Sequence, residues 1–268
     1  MTDWLELCRG CVADIRAVLA DLPTRLEREP VLRTGEGGDD TTAIDAAAEA
    51  AVVARLETLG EDFVLVSEEL GERTFGTGGP RRVVVDPIDG SVNAKRGIPF
   101  FSLSLAVADG PTMDDVTFGY VYDFGSGEEW TATRGEGAYL DGRRLGAVGP
   151  KERIEILSFE GTTTEFIVER ASAMLGLAGR LRVMGSLALS LCHLAAGRVD
   201  AVCSLKQARS VDIAAAQLLV GEVGLAIELF EAPPFAVAPL DLAMRSRVVA
   251  AATPELCAAL GRALTASS

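Results

Sequence analysis

Residues 86–93 run Asp86-Pro87-Ile88-Asp89-Gly90-Ser91-Val92-Asn93, and an apolar stretch, Val83-Val84-Val85, leads straight into the first aspartate. A second aspartate follows three residues later. Unpaired carboxylates buried at a strand end are costly, so this placement calls for a positive partner. Two aspartates and the exposed carbonyl of Ile88 form an all-oxygen donor set of the kind Mg2+ takes. Pro87 stiffens the turn, and Gly90 lets backbone approach a ligand closely. The amides of Gly90 and Ser91, at a candidate helix start, are placed to receive a phosphate oxygen. An ordinary surface turn is the competing explanation, since Asp-Pro and Asp-Gly dipeptides often make one.

Three further acidic positions bear on that choice. Val64-Leu65-Val66 ends in Ser67-Glu68-Glu69, the same pattern of apolar strand followed by carboxylates. Asp45 stands beside Thr42 early in an alanine-rich helix, and Asp212 opens another, Asp212-Ile213-Ala214-Ala215-Ala216. Singly, Glu68 and Glu69 also read as a solvated charge pair, and Asp45 and Asp212 as partners of a helix dipole. Only a fold that gathers all four makes chemistry of them.

Around these positions the pattern predicts a first helix to about Asp21, a turn-rich Gly35–Asp40 segment, and a helix from Ala43 to Leu59 ended by Gly60. Strands are expected at 63–67, 82–86, 101–108, 116–122 and 128–133. After Gly149-Pro150 strand and helix alternate: strands at 154–159, 181–184, 199–204, 225–230 and 247–251, helices at 164–175, 187–196 and 213–223. A final helix starts with Thr253 as cap and Pro254 in its first position. The expectation is an antiparallel α+β domain over residues 1–150, carrying most of the acidic site. An α/β domain over 151–268 would contribute Asp212.

Composition narrows the function. The chain has 268 residues, a formal charge of −14, 49% hydrophobic and 24% charged residues. That is globular composition without a disorder signature. The negative charge argues against nucleic acid as partner, but not against a phosphorylated metabolite, because a bound divalent cation inverts the local field. No apolar run approaches the roughly 18 residues of a membrane span, and no signal peptide is visible at the N-terminus; a cytoplasmic protein is expected. Cys8 and Cys11 have metal-type spacing but sit on a helix with apolar periodicity and lack a second pair, so they read as buried thiols. His193, in an apolar helix and without partner ligands, reads as structural.

Asp86 to Asn93 resembles the D-P-(I/L)-D-G-(T/S)-x-N signature of the inositol monophosphatase and archaeal fructose-1,6-bisphosphatase family of magnesium-dependent, lithium-sensitive phosphatases. Glu68-Glu69 resembles its E-E motif, Thr42-x-x-Asp45 its T-x-x-D element, Gly185-Ser186 its G-(S/T)-A-A segment, and Val211 to Ala215 its W-D-x-A-A segment. The elements occur in family order over residues 42 to 216. The resemblance implies a layered α/β/α/β/α sandwich and a homodimer. It implies two or three Mg2+ ions, with Mn2+ as a substitute, on Glu68, Asp86, the Ile88 carbonyl, Asp89 and Asp212. It also implies a water activated by Asp45, Glu68 and Ser91, and a phosphate held by Gly90, Ser91, Gly185 and Ser186. Clustered carboxylates repel without their ions, so raised carboxylate pKa values are expected in the ion-free protein.

Departures from the family pattern concern the substrate. Leu205 stands where inositol monophosphatases carry a glutamate, Val211 replaces tryptophan, and Leu187 replaces alanine. Lys206 and Arg209 resemble the basic residues of the archaeal dual-activity members and are candidates for a second substrate phosphate, or are plain surface charges. Gly35–Asp40 stands in place of a lysine-bearing loop and is expected to move when no ligand is bound. The leading expectation is a phosphomonoesterase acting on fructose 1,6-bisphosphate, inositol 1-phosphate or both. A 3′- or 2′-phosphatase acting on adenosine bisphosphate or NADP is the alternative and would need an apolar shelf for adenine. A non-catalytic relative that binds metal or sugar phosphate is the lesser one.

Overall fold

Asp3 accepts the Glu6 amide and starts α1 (Trp4–Asp21), whose buried residues Leu7, Cys8, Cys11, Val12 and Ile15 recur at helical spacing. In the computed structural model, which describes residues 2–149, 153–161, 163–231 and 233–265, a short α2 (Arg25–Arg28) comes next. It leads into a hairpin of β1 (Val31–Thr34) and β2 (Asp40–Thr42). Thr42 then caps α3 (Ala43–Glu57) in a reciprocal box with Asp45. β3 (Phe63–Ser67), β4 (Gly71–Phe75) and β5 (Arg82–Asp89) precede α4 (Ser91–Arg96). A meander follows: β6 (Ser102–Ala108), β7 (Val116–Asp123), β8 (Glu129–Thr133), β9 (Gly137–Leu140) and β10 (Arg143–Arg144).

The remaining chain alternates. β11 (Ile154–Glu160), α5 (Thr164–Ala171), β12 (Ala178–Arg182), α6 (Leu187–Ala195) and β13 (Ala201–Ser204) come first. α7 (Ser210–Glu222), β14 (Ala226–Leu229), β15 (Val248–Ala251) and α8 (Pro254–Thr265) complete it. The helix expected to reach Leu175 ends as α-helix at Ala171 and continues as one 3-10 turn. The strand expected at 181–184 lies instead at 178–182. Residue 150, the expected domain boundary, lies outside the described residues.

The eight-stranded sheet has the order β10-β9-β8-β7-β6-β5-β3-β4, antiparallel except for β3 beside β5. The five-stranded sheet has the order β12-β11-β13-β15-β14, parallel around β11 and antiparallel around β15. Successive side chains of a strand face opposite sides. Val83 and Val85 therefore pack with α1 and α3, while Val84 packs with α6 and α7. The opposite face of the second sheet is closed by Cys257, Leu260 and Leu264 of α8. The layers are α1/α3, first sheet, α6/α7, second sheet, α5/α8: the α/β/α/β/α sandwich.

The middle layer joins the two halves of the chain. α7 lies on β5, β6, β7 and β8, and ten of its residues are buried, so it needs no polar face. Its approach to β7 depends on Gly119: a Cβ there would stand 2.5 Å from the carbonyl oxygen of Ala215. Gly119→Ala should therefore cost about 1–3 kcal/mol by forcing the helix off the sheet. Denaturant unfolding with an unchanged slope and a lowered midpoint is the expected result.

Candidate active site

β5 supplies two of the acidic side chains through an irregularity of its ladder. Asp86 pairs with Ser104 and Asp89 with Ser102, so three steps on β5 oppose two on β6. In a regular strand, residues three apart face opposite sides; the extra residue of a bulge lets Asp86 and Asp89 share one. Pro87, which cannot donate to a ladder, sits inside the bulge. Gly90 then adopts φ 99°, and a Cβ on it would meet the Gly185 and Phe100 carbonyl oxygens and the Phe101 side chain at 3.1 Å, so glycine is required.

Glu68 follows the end of β3, the parallel neighbour of β5, and Asp212 lies in the first turn of α7. One carboxylate oxygen each from Glu68, Asp86 and Asp212 lie within 4.8 Å of one another. Opposite ligands of one Mg2+ span roughly 4.2 Å at about 2.1 Å per bond, so the spacing suits a hard divalent cation. Among the described residues this is the one group of its kind. The cysteines are buried and free, and His193 is packed between Phe100 and Trp130 beside Arg198, so neither thiol nor imidazole joins the group. The donors are oxygens alone.

Asp89 is placed differently from the other three. Its Oδ2 accepts from the Ser186 hydroxyl at 2.6 Å and the Ala188 amide at 2.7 Å, at the start of α6. Ser186 in turn caps that helix by accepting the Leu189 amide. Asp86 Oδ1 accepts the Ile88 amide, and the Ser91 hydroxyl donates to the Ile88 carbonyl. Asp45 Oδ2 accepts from the amide and hydroxyl of Thr42, while its buried Oδ1 has no hydrogen-bond partner among the described residues. No hydrogen bond among the described residues links Asp45 to Ser91. A buried acceptor without a donor is what a bound water satisfies.

Burial raises the pKa of Glu68 to about 7, with Asp212 and Glu69 adding repulsion and Arg209 opposing it. Burial likewise raises Asp89 to about 7, opposed by Ser186 and Ala188. Asp86 is raised well above the usual carboxylate range by burial, then by Glu68, Asp89 and Asp212.

A cavity of about 690 Å3 opens over these groups. Gly90, Ser91 and Gly185 line it, together with the basic Lys206 and Arg209 and the apolar Phe166, Val183, Met184 and Leu187. Lys206 is half exposed and bonds Asp39 at 2.9 Å. Arg209 is not a surface charge: it reaches Glu68, Asp212 and Asp39. The Gly35–Asp40 segment, expected to be loose, is the turn between β1 and β2 and is tied down. The Gly37 amide donates to the Glu68 carbonyl, Arg245 donates to the Gly37 carbonyl, and Asp39 accepts from Lys206 and Arg209.

Two acidic residues at the site escaped sequence reasoning. Glu160 ends the apolar β11 as Asp86 ends its strand, a signal of the same kind, and its carboxylate binds Ser158, Ser190 and the Met184 and Gly185 amides. Glu49, one helical turn beyond Asp45, accepts from Ser67 and from the Glu69 and Leu70 amides.

The all-oxygen carboxylate cluster at the strand ends of this five-layer α/β sandwich is suited to a hard divalent cation, and its relatives make the chain a phosphoric monoester hydrolase. A sequence profile of the inositol monophosphatase family matches residues 7–267, and the chain belongs to that family. It is 34% identical over 206 residues to a fructose-1,6-bisphosphatase/inositol-1-monophosphatase of Methanothermobacter thermautotrophicus, covering 72% of each chain. It is 32% identical over 253 residues to the Archaeoglobus fulgidus protein of the same name, covering 93% of each. A crystal structure of an inositol monophosphatase–fructose 1,6-bisphosphatase superposes with TM-score 0.84 at 25% identity, covering 98% of this chain and all of that one. No helix among the described residues is long and apolar enough to cross a membrane.

Two measurements probe this geometry. The contribution of carboxylates with folded pKa values near 7 to the ion-free fold is full below their unfolded values, about 4, and is lost as pH rises from there through 7. The melting temperature in chelator should fall between pH 5 and 8, and saturating Mg2+ should flatten the decline. Ser186→Ala removes both a helix cap and the donor that orients Asp89. It should cost about 1 kcal/mol of stability and about 10- to 100-fold in activity, read by unfolding and by phosphate release.

Proposed function

We propose that the protein is a Mg2+-dependent phosphomonoesterase hydrolysing a small sugar or polyol phosphate, with fructose 1,6-bisphosphate and inositol 1-phosphate as the expected substrates. The observation that supports this is the convergence of Glu68, Asp86 and Asp212, from three separate elements, under one open cavity. In this proposal Glu68, Asp86, the Ile88 carbonyl, Asp89 and Asp212 hold two or three divalent ions, Mg2+ or Mn2+. Bound there, such ions acidify water and neutralise charge on the entering and leaving oxygens of the phosphoryl group.

The chain's own residues supply orientation. Asp45, Glu68 and Ser91 set the attacking water, and the Asp45 oxygen left without a protein donor supports that role. Gly90 and Ser91 border the phosphate, Gly185 borders the substrate, and Ser186 orients Asp89 by donating to it. Lys206 and Arg209 serve a second phosphate, Lys206 from the cavity mouth. A homodimeric, cytoplasmic protein belongs to the same proposal.

The apolar residues Phe166, Val183, Met184 and Leu187 in the cavity lining favour a second reading, a phosphatase of adenosine bisphosphate or NADP, because an adenine needs apolar surface. Phosphate release from fructose 1,6-bisphosphate, inositol 1-phosphate, adenosine bisphosphate and NADP, with and without Mg2+, separates the two. Turnover that survives chelation would contradict both. Asp89→Asn should lower turnover on every substrate by at least about 100-fold. Lys206→Ala should weaken bisphosphate substrates alone, and an equal loss on monophosphates rejects its assignment.

A further inference from the structure

Arg209 is paired with two of the three carboxylates that converge under the cavity. Its Nη2 lies 2.6 Å from Glu68 Oε1 and 3.2 Å from Asp212 Oδ1, so one nitrogen bridges two of the three converging carboxylates. Its Nη1 lies 3.3 Å from Asp39 Oδ2 on the β1–β2 turn. The side chain is only 8% exposed. Gly37 makes room for it, since a Cβ there would stand 2.5 Å from Nη1. A guanidinium withdrawn from water to this extent holds its place because anions surround it. Carboxylate oxygens that accept from Nη2 have less to offer a divalent ion, and two cations in one small space repel.

We infer that Arg209 is a built-in competitor for the divalent-ion position. It neutralises the acidic cluster when no ion is bound, and it must release Glu68 and Asp212 before an ion can enter. Arg209 thereby sets the affinity of the site for its metal. Asp39, which accepts from both Arg209 and Lys206 at the cavity mouth, is the carboxylate left to hold the displaced guanidinium. The β1–β2 turn thus retains a tie to the second half of the chain in either state. This inference rests on the metal-dependent reading of the site.

Mn2+ binding to the chelator-treated full-length protein, followed by calorimetry, tests it with Arg209→Gln and Arg209→Lys, each checked for fold by circular dichroism. An entering ion must displace the charge-assisted hydrogen bonds from Arg209 to Glu68 and Asp212, and the glutamine side chain offers no such charge. The glutamine variant should therefore bind Mn2+ at least about tenfold tighter than wild type. It should also melt lower than wild type in chelator, and level with it in saturating Mn2+. The lysine variant keeps the charge but loses the planar fork. It should bind more tightly than wild type, whereas repulsion at a distance would leave its affinity equal to that of the arginine protein. Unchanged or weaker binding by the lysine variant, or by both, overturns the inference while wild-type binding stands. A wild-type protein that binds no Mn2+ overturns it together with the metal-dependent reading.

Discussion

The cost of holding negative charge away from water governs this end of the molecule, and the acidic residues sort themselves by how that cost is met. Glu160 is met by two hydroxyls and two backbone amides, and Glu49 by a hydroxyl, two amides and Arg33. Such carboxylates need nothing further and serve to fix neighbouring loops. Asp86 has the Ile88 amide, and Glu68 has the Arg209 guanidinium. These two sparsely compensated groups, and Asp212, which relies on Arg209 alone for its donors, are the ones whose oxygens converge. A demand for positive charge is therefore written into the donor count, independently of any motif.

Much of this was legible in the sequence because the chemistry sits at the ends of regular elements. Val83-Val84-Val85 before Asp86 and Val64-Leu65-Val66 before Glu68 announced buried strands that end in acid, and the structure makes those strands parallel neighbours ending on the same side. The alanine-rich run after Asp212 announced a helix, and the structure has one there, buried on nearly all sides. The five-layer order followed from family resemblance, not from periodicity. What stayed hidden depends on pairing between distant segments. The β5 bulge exists only relative to β6. β1 is exposed along its whole length and β4 is a polar edge strand, so neither carries the alternation that marks a half-buried strand. Arg209 looks like any basic residue before a helix until the turn carrying Asp39 is folded against it.

The scaffold divides the site into a fixed part and an adjustable part. Glu68, Asp86 and Asp89 are carried by adjacent strands of one sheet, and Asp212 by a helix clamped against that sheet with no room for a methyl group at Gly119. Rigid elements hold ligand positions more closely than loops do. The β1–β2 turn is different in kind. Its links to the rest of the site are hydrogen bonds at Gly37 and ion pairs at Asp39, not packed apolar surface. Interactions of that type reorganise readily when a competing charge arrives. Variation in the fixed part would destroy the carboxylate cluster, whereas variation in the turn or in Lys206 would leave that cluster in place. On the proposed function, selectivity among phosphorylated substrates would reside in Lys206 and the apolar lining residues such as Phe166, and the capacity to gather cations in the carboxylates at the strand ends.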